Sequence, residues 1–213
     1  MPLKVIPITL ETLETCCNIH YGAYDDNSFF QVLYPKGHTK DLQKNLTYHD
    51  RLEHKDPNVH MFCVIDTSSK DKIIGAAKWT LVGPGVASGE QDEQDAGPPE
   101  IADGVIDADF FTHFQDVVSS RRAKHKTRKT VQLSDLSVLE GYRHRGAGSL
   151  LVKTLIDFAD KEGLPCYLES TPKGYNMYKQ LGFRDVDKLE MDLEPWKKGL
   201  GVYKLALMYR DAR

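Results

Sequence analysis

The chain has 213 residues, of which 40% are hydrophobic, and its formal net charge is −3. This length and hydrophobic content suffice for one sizeable core, so we predict a single domain over residues 1–213. The weakly acidic charge excludes binding to nucleic acid or a membrane surface through bulk positive charge, and no apolar run approaches the roughly 18 residues of a membrane span. The first residues lack the apolar region of a signal peptide, so we expect a cytoplasmic protein, with the nucleus as the alternative.

The cysteines and histidines form no recognisable disulfide or metal pattern. The four cysteines lack CxxC spacing, which favours reduced, mostly buried thiols in an intracellular protein. The eight histidines include no HExxH pair, so we expect no metal site. Neither a GxxxxGKS/T phosphate loop nor a GxSxG elbow occurs, which excludes those modes of phosphate binding and nucleophilic catalysis.

Apolar runs separated by turn residues define the elements of the N-terminal part. The predicted order is a strand at 3–8, a helix capped by Thr9, an aromatic-rich connection at 28–37, a helix at about 39–55, and a hairpin of strands at 59–66 and 72–82. The acidic segment at about 83–106 is rich in Gly, Pro, Gln and Ser, so we predict a mobile surface loop there.

A helix is predicted to resume near Asp107. Its apolar face is expected to comprise Phe110, Phe111, Phe114, Val117 and Val118. The basic run "RRAKHKTRK" at 121–129 follows, and we interpret it as the solvated end of this helix, which could also lie near the entrance for an anionic ligand. The alternative, a nucleic-acid patch or nuclear signal, lacks interleaved aromatic residues and is therefore less favoured.

The remaining chain alternates strands with helices, which indicates α/β packing. The predicted order is a strand at 131–139, a helix at 149–161, a strand at 165–169, a helix at 173–181, and strands at about 183–193 and 202–210. The apolar phase of the first strand slips across Ser134 and Asp135, which predicts a β-bulge. A bulge leaves backbone groups unpaired, and an amide-bearing ligand could pair with them.

The loop after this strand combines positive charge with bare backbone. Arg143, Gly146 and Gly148 lie within a few residues of a predicted helix start. Glycines let backbone amides approach a ligand, and a helix N-terminus favours anions. The combination predicts a pyrophosphate cradle.

The segment Arg143-x-x-Gly146-x-Gly148 resembles the acetyl-coenzyme-A motif Q/R-x-x-G-x-G/A of the GNAT superfamily of N-acetyltransferases. The segment "PCYLESTPKGYNMYKQLGF" is similar to that family's second block, and "GAAKW" fits its third strand. With its acidic insertion, the chain is most similar to GNAT-domain proteins of fungi. The resemblance implies an α/β (α+β) fold. Its central sheet would be mixed, mostly antiparallel, seven-stranded and twisted, splayed at a bulged strand 4 and flanked by helices on both faces.

The resemblance also implies site residues for acetyl-CoA. Backbone groups of Leu136, Ser137 and Val138 would bind the pantetheine arm. The pyrophosphate would be held by the loop and helix start: Arg143, His144, Arg145, Gly146, Ala147, Gly148 and Ser149. Thr171 and Tyr175 are further cofactor candidates, although Ser170 and Thr171 stand where many members have asparagine. Tyr178 matches the family's usual general acid for the leaving thiolate.

The implied reaction is acetyl transfer to a primary amine by direct attack in a ternary complex. An amine with a pKa of about 10.4 is mostly protonated at neutral pH, so a base must remove a proton. Asp135 at the bulge is the first candidate and Glu169 the second, and Asp135 could equally bind the substrate's ammonium group. We expect the acceptor, which the sequence does not identify, to contact the aromatic connection at Phe29, Phe30 and Tyr34, unless those residues are core.

Two other classes of function remain open. The chain could be a module that binds acyl-CoA without turnover, or a nucleic-acid-associated protein that uses residues 121–129. We expect a monomer or a homodimer without a membrane partner.

Overall fold

The computed structural model describes residues 2–24, 26–86, 99–125 and 127–213. The strands are β1 (Leu3–Pro7), β2 (Val59–Asp66), β3 (Lys72–Val82), β4 (Thr130–Val138), β5 (Cys166–Ser170), β6 (Arg184–Asp192) and β7 (Val202–Arg210). The helices are α1 (Leu10–Gly22), α2 (Ser28–Leu33), α3 (Lys40–Lys55), α4 (Ala108–His125), α5 (Ala147–Lys161) and α6 (Pro172–Gln180). A short 3-10 turn, Glu140–Tyr142, lies between β4 and α5.

The seven strands form one mixed sheet in the order β1-β2-β3-β4-β5-β7-β6. β4 and β5 are parallel neighbours, whereas the other neighbouring pairs are antiparallel. This arrangement confirms the predicted mixed, mostly antiparallel seven-stranded sheet.

A β-bulge at Ser134 separates β4 from β5. Leu133 pairs with Trp79 of β3, and Asp135 pairs with the adjacent Lys78, so Ser134 is the extra residue. β4 pairs with β5 only as far as Leu133. The bulge bends the rest of β4 away from β5, as predicted from the slip in apolar phase.

Helices cover both faces of the sheet because side chains alternate along its strands. In β2, Met61 and Cys63 pack with α1, whereas Phe62 and Val64 pack in the cluster that contains α5. One side of α5 repeats at i, i+4 and i+8 and is fully buried: Leu151, Leu155 and Ala159. This stripe holds α5 against the sheet, and with it the loop that precedes the helix.

The structure differs from the predicted elements at three places. The connection at 28–37 contains α2, because the Asn27 side chain caps it by accepting a hydrogen bond from Phe29 N at 2.9 Å. α5 begins at Ala147, two residues earlier than predicted. Phe111 is 43% exposed because α4 buries a narrower stripe than expected, formed by Phe110, Phe114 and Val118.

The acidic segment predicted to be mobile falls largely on residues 87–98, which lie outside the described residues. Its described end is attached to neighbouring helices. Asn45 of α3 donates its side-chain amide to Pro99 O at 2.9 Å, and Val105 is 3% exposed within the core near α2. The mobility of the segment stays a prediction.

The described ranges contain no helix that is both long enough and apolar enough to cross a bilayer. Within the same ranges, no three His, Cys, Asp or Glu side chains gather as a metal-binding group. The four cysteines are buried free thiols: Cys16, Cys17, Cys63 and Cys166.

Candidate functional site

A cleft of about 810 Å³ opens where β4 and β5 diverge. Most of the predicted site residues line it: Asp135, Leu136, Ser137, Val138, Arg143, His144, Gly146, Gly148, Ser149, Glu169, Thr171 and Tyr178. The predicted residues outside this lining are Arg145, Ala147, Tyr175, Phe29, Phe30 and Tyr34. The splayed strands therefore bring two distant sequence blocks to one groove.

One end of the cleft is the N-terminus of α5. Gly146 precedes the helix with a φ of +87°, a backbone conformation that glycine adopts without strain. Leu150 N donates to Gly146 O at 2.9 Å, so the N–H groups of the residues before Leu150 have no acceptor within the helix. These groups lie at the positive end of the helix dipole. This end of the cleft can bind an anion such as a phosphate.

Two arginines flank this helix start in different ways. Arg143 lines the cleft, and its Nε donates to Val138 O at 3.2 Å. The Arg145 guanidinium instead lies 5.6 Å from the centroid of the Tyr142 ring. Arg143 therefore places positive charge within the cleft, and Arg145 places it beside the cleft.

The middle of the cleft is the edge of β4 that β5 has left. Residues from Ser134 to Val138 border the cleft beyond the last β4–β5 pair. Tyr24, which follows α1, donates its hydroxyl to Leu136 O at 3.3 Å. Burial raises the pKa of Tyr24 to about 12, so this phenol stays neutral at physiological pH. A strand edge of this kind can pair with the amide groups of an extended ligand.

Asp135 lies at the bulge between two basic side chains. Its carboxylate is 3.2 Å from His20 Nε2 and 3.0 Å from Lys78 Nζ. Burial opposes the charge of Asp135, but His20 and Lys78 outweigh burial and hold the pKa of this carboxyl well below its usual range. A carboxylate with two such partners is a weak proton acceptor.

Lys78 is itself surrounded by carboxylates. Besides Asp135, its Nζ contacts Asp50 at 3.0 Å and Glu53 at 2.6 Å, both on α3. Burial disfavours the ammonium, yet the three carboxylates raise the pKa of Lys78, so it remains charged. The other oxygen of Asp50 accepts from Tyr21 OH at 3.0 Å. The cluster thus connects α1, α3, β3 and β4 beside the bulge.

Glu169 lies at the cleft but is also paired. Arg122 of α4 donates to both of its oxygens, at 2.6 and 2.7 Å. Tyr167 OH donates to the same carboxylate at 3.1 Å. The predicted second base therefore lies in a two-pronged ion pair that anchors α4 to β5.

Tyr178 of α6 lines the cleft and is 7% exposed. Burial raises its pKa, so its hydroxyl is protonated at neutral pH. The turn after α6 is hydrogen-bonded to the backbone of this residue, since Phe183 N donates to Tyr178 O at 3.1 Å. Tyr175, one helical turn earlier, points elsewhere and donates to Asp185 at 2.7 Å.

The aromatic residues predicted to contact the acceptor belong mostly to the core. Phe29 and Tyr34 are buried, and the Phe29 ring packs 4.5 Å from the ring of Phe114. Phe30 is half-buried, with its ring 4.9 Å from that of the cleft residue Tyr24. The Phe30 ring therefore contacts the ring of a residue in the cleft wall.

The basic run is partly used inside the molecule. Arg122 pairs with Glu169, Arg121 lies 4.0 Å from Asp187, and Arg128 bonds to Tyr209 and Asp211. Three arginines of the run therefore have partners within the molecule, and the choice between a helix end and a nucleic-acid patch stays a prediction.

The structure adds His20, Tyr24 and Lys78 to the surroundings of the site. Of these, only His20 has a position that the sequence marks as unusual. It lies three residues after Cys17 and so falls on the buried face of α1. A polar residue on such a stripe needs a partner, but the sequence did not indicate which.

Comparisons with known proteins agree with this geometry. The model of the family described as "Acetyltransferase (GNAT) family" matches residues 23–183. No curated protein sequence matches the chain significantly.

Solved structures share the fold at low identity. Arylalkylamine N-acetyltransferase 2 from Aedes aegypti has a TM-score of 0.69 and 14% identity, with 100% of each chain covered. A histone acetyltransferase HPA2 and related acetyltransferase from Corynebacterium glutamicum has a TM-score of 0.63 and 16% identity, over 100% of this chain and 98% of that one. NAA60 from Arabidopsis thaliana, solved with acetyl-CoA, has a TM-score of 0.58 and 14% identity, over 99% and 98%.

The family match spans most of the chain and includes the bulged strand, the glycine loop and α6. This chain therefore belongs to the GNAT family of acetyltransferases.

Proposed function

We propose that this protein transfers an acetyl group from acetyl-CoA to a primary amine by direct attack in a ternary complex. One observation carries the proposal: the N-terminus of α5, the free edge of β4 and Tyr178 border a single continuous cleft. Such a cleft offers, within one groove, a site for an anion, a strand edge whose backbone can pair with amide groups, and a proton donor. Family membership supports acyl transfer, and the acetyl-CoA in the NAA60 structure supports the choice of donor.

Acetyl-CoA fits the chemistry of the cleft residues. The N–H groups at Gly148 and Ser149, together with Arg143, would hold the pyrophosphate. Backbone groups of Leu136 and Val138 would pair with the pantetheine amides. Since Arg143 now donates to Val138 O, its side chain would exchange that acceptor for a phosphate oxygen.

Tyr178 would donate a proton to the departing thiolate. Its high pKa keeps it protonated but makes it a weak acid. Burial raises the basicity of a thiolate formed beside it as well, because both anions lose hydration. A thiol with a parent pKa of about 8.5 can then take the proton from a phenol within hydrogen-bond distance.

The two carboxylates contribute charge more readily than they accept protons. Asp135, held between His20 and Lys78, would attract the ammonium form of the incoming amine. Glu169 would hold α4 against β5 through Arg122. The acceptor is a primary amine, and Phe30 beside Tyr24 favours one with an apolar part.

Isothermal titration with acetyl-CoA, followed by a thiol-release assay against a panel of amines, tests the proposal. We expect binding, and thiol release that depends on one class of amine. Desacetyl-CoA serves as the control for binding without a transferable group. A protein that does not bind acetyl-CoA would contradict the proposal at its first step.

A second function is favoured by one observation, the prior pairing of both carboxylates. A module that binds acyl-CoA without turnover needs no base. Tight acetyl-CoA binding with no thiol release for any amine would support this alternative.

A further inference from the structure

The His20 ring bridges two residues of β4 that follow the bulge, Asp135 and Ser137. Its Nδ1 lies 2.9 Å from Ser137 Oγ, and its Nε2 lies 3.2 Å from Asp135 Oδ1. Ser137 and His20 are 117 residues apart in sequence. Three groups that can hold or move a proton therefore form one chain of hydrogen bonds.

This chain of groups runs inward from the cleft. Ser137 lines the cleft although it is only 3% exposed overall, whereas His20 is not part of the cleft lining. The His20 ring packs edge-on against Tyr21 and Tyr24, at centroid distances of 5.3 and 4.9 Å. These contacts fix the orientation of the imidazole and separate it from the cleft, so it reaches the cleft through the Ser137 hydroxyl.

The His20 imidazole can accept a proton, which the paired carboxylates Asp135 and Glu169 do poorly. Asp135 is held as an anion by Lys78 and Glu169 is held by Arg122, so both are committed to cations. An imidazole changes charge near neutral pH and is the usual biological proton acceptor. Asp135 beside Nε2 would stabilise the imidazolium that forms when His20 accepts a proton.

Resting on the proposed acetyl transfer, we propose that Ser137, His20 and Asp135 form the proton relay that deprotonates the attacking amine. In the resting state the Ser137 hydroxyl donates to His20 Nδ1, and His20 Nε2–H donates to Asp135. The ammonium group that Asp135 attracts first loses one proton to solvent, because only the neutral amine has a lone pair for attack. As the C–N bond forms and the C–S bond breaks, Ser137 Oγ takes a second proton from the amine nitrogen. It passes its own proton to Nδ1 at the same time.

The step leaves an amide, an imidazolium at His20 and a thiolate that receives its proton from Tyr178. Solvent then takes one proton from His20 and returns one to Tyr178, so protons balance and nothing is oxidised or reduced. Ser137 contacts the amine, whereas His20 and Asp135 act through it as positioning and proton-storing groups.

The charged and titratable groups around His20 come from every element packed against it. They are Tyr21 on α1, Tyr24 after it, Asp50 and Glu53 on α3, Lys78 on β3, Asp135 on β4, and Arg143 in the loop before α5. The charges of all these groups influence how the rate of the relay depends on pH.

The protonation of His20 can be measured without an acceptor amine. In protein labelled with 15N-histidine, NMR reports which ring nitrogens of His20 carry a proton, and the relay requires a neutral ring with the proton on Nε2 under the assay conditions. Ser137→Ala should shift the Nδ1 resonance and leave Nε2 nearly unchanged. A His20 that carries protons on both nitrogens from pH 6 to 9 has no capacity to accept another and would overturn the relay.

Kinetics test the relay in the working enzyme. His20→Gln keeps hydrogen-bonding groups but cannot accept a proton, so kcat should fall on the order of 100-fold with KM for acetyl-CoA unchanged. His54→Gln is the matched control, because the Nε2 of part-buried His54 lies 2.8 Å from Ile8 O and His54 is not part of the cleft lining. His54→Gln should retain kcat.

Failure of the relay and failure of the proposed function give different results. Wild-type protein that binds acetyl-CoA but acetylates no amine refutes the proposed transfer, and the NMR measurement still decides whether His20 can serve as acceptor. A His20→Gln enzyme with wild-type kcat overturns the relay alone. So does an acetyl group found on Ser137 by mass spectrometry, since Ser137 would then be a nucleophile.

Discussion

The two ends of the cleft are built in different ways. The end at α5 comes from one contiguous segment, Arg143–Ser149, and its backbone groups are oriented by the helix that follows. The end at the bulge is assembled from α1, α3, β3 and β4, and its charges are already paired with one another. A helix start with free backbone N–H groups is encoded in a short segment, whereas a cluster of paired charges needs groups from several elements.

The difference also appears in what each end leaves available. The α5 end offers backbone N–H groups and a cleft arginine to a ligand. At the bulge, Asp135 and Lys78 satisfy each other, and the cleft is reached through the small hydroxyl of Ser137. Substitutions at the first end should therefore change binding, and substitutions at the second should change turnover.

The largest expected effect is on turnover and comes from Tyr178→Phe. Loss of the proton donor should lower kcat by tenfold or more, up to the ~10²–10⁴-fold that general acid–base catalysis contributes, with little change in acetyl-CoA affinity. Because burial raises the pKa of Tyr178, the wild-type rate should not fall between about pH 7 and 9 through loss of this proton. Steady-state kinetics and titration calorimetry measure the two quantities.

Tyr209→Phe is the control for Tyr178→Phe, since Tyr209 lies on β7, accepts a hydrogen bond from the exposed Arg128 and is not part of the cleft lining. A Tyr178→Phe enzyme with unchanged kcat would remove the tyrosine from the mechanism.

Glu169→Gln distinguishes two roles of Glu169, that of a catalytic base and that of an ion-pair partner of Arg122. If Glu169 mainly holds Arg122, the free energy of unfolding should fall by about 2 kcal/mol while kcat stays within a few-fold of wild type. Chemical denaturation and kinetics on the same preparation provide both values. Glu190→Gln on β6 is matched in chemistry, because Glu190 pairs with Lys188 at the exposed surface, and it should cost less than about 0.5 kcal/mol. Normal stability with abolished turnover would instead restore Glu169 as the base.

Arg143→Ala should weaken acetyl-CoA binding about tenfold, the loss expected for one charge-assisted contact. The defect should shrink as salt is raised, because the contact is electrostatic and partly exposed. Lys153→Ala removes the same charge from an exposed position of α5 outside the cleft lining, and it should bind normally in the same titration. Equal losses in the two variants would mean that Arg143 acts through bulk charge alone.

The smallest expected effect comes from Gly146→Ala. A side chain at a φ of +87° is strained, which should destabilise the fold by about 1 kcal/mol and reduce acetyl-CoA affinity a few-fold. Gly141→Ala is the control, since a Cβ there meets nothing within 4 Å and its φ is not in the left-handed region. Thermal melts with and without acetyl-CoA compare the two, and equal shifts in both variants would remove the special role of the Gly146 backbone.

Much of the fold followed from local pattern. The bulge at Ser134 was predicted because the side-chain period of two makes a one-residue slip visible within one strand. The anion-binding loop was predicted because glycine, arginine and a helix start adjoin in sequence. α2 was missed, because its six residues are too few for a helical period to show.

The charges around the bulge were beyond sequence reasoning for a different reason. Asp135 was predicted as a base from its place at the bulge, but its chemistry depends on His20 and Lys78, which reach it from other elements. The pKa of a carboxyl responds to burial and to charges within a few ångströms, and those distances exist only after folding. From the sequence, Phe29 similarly could belong to the acceptor site or to the core, and its packing against Phe114 of α4 places it in the core.

The sequence by itself determined most of the strand and helix pattern, the bulge and the place of the arginine- and glycine-rich loop before α5, because each is encoded by neighbours along the chain. The tertiary structure alone decided that both carboxylates are paired and that His20 joins Ser137 to Asp135. Backbone conformation depends mainly on local residues, whereas proton affinity depends on the field of every charge that folding brings near.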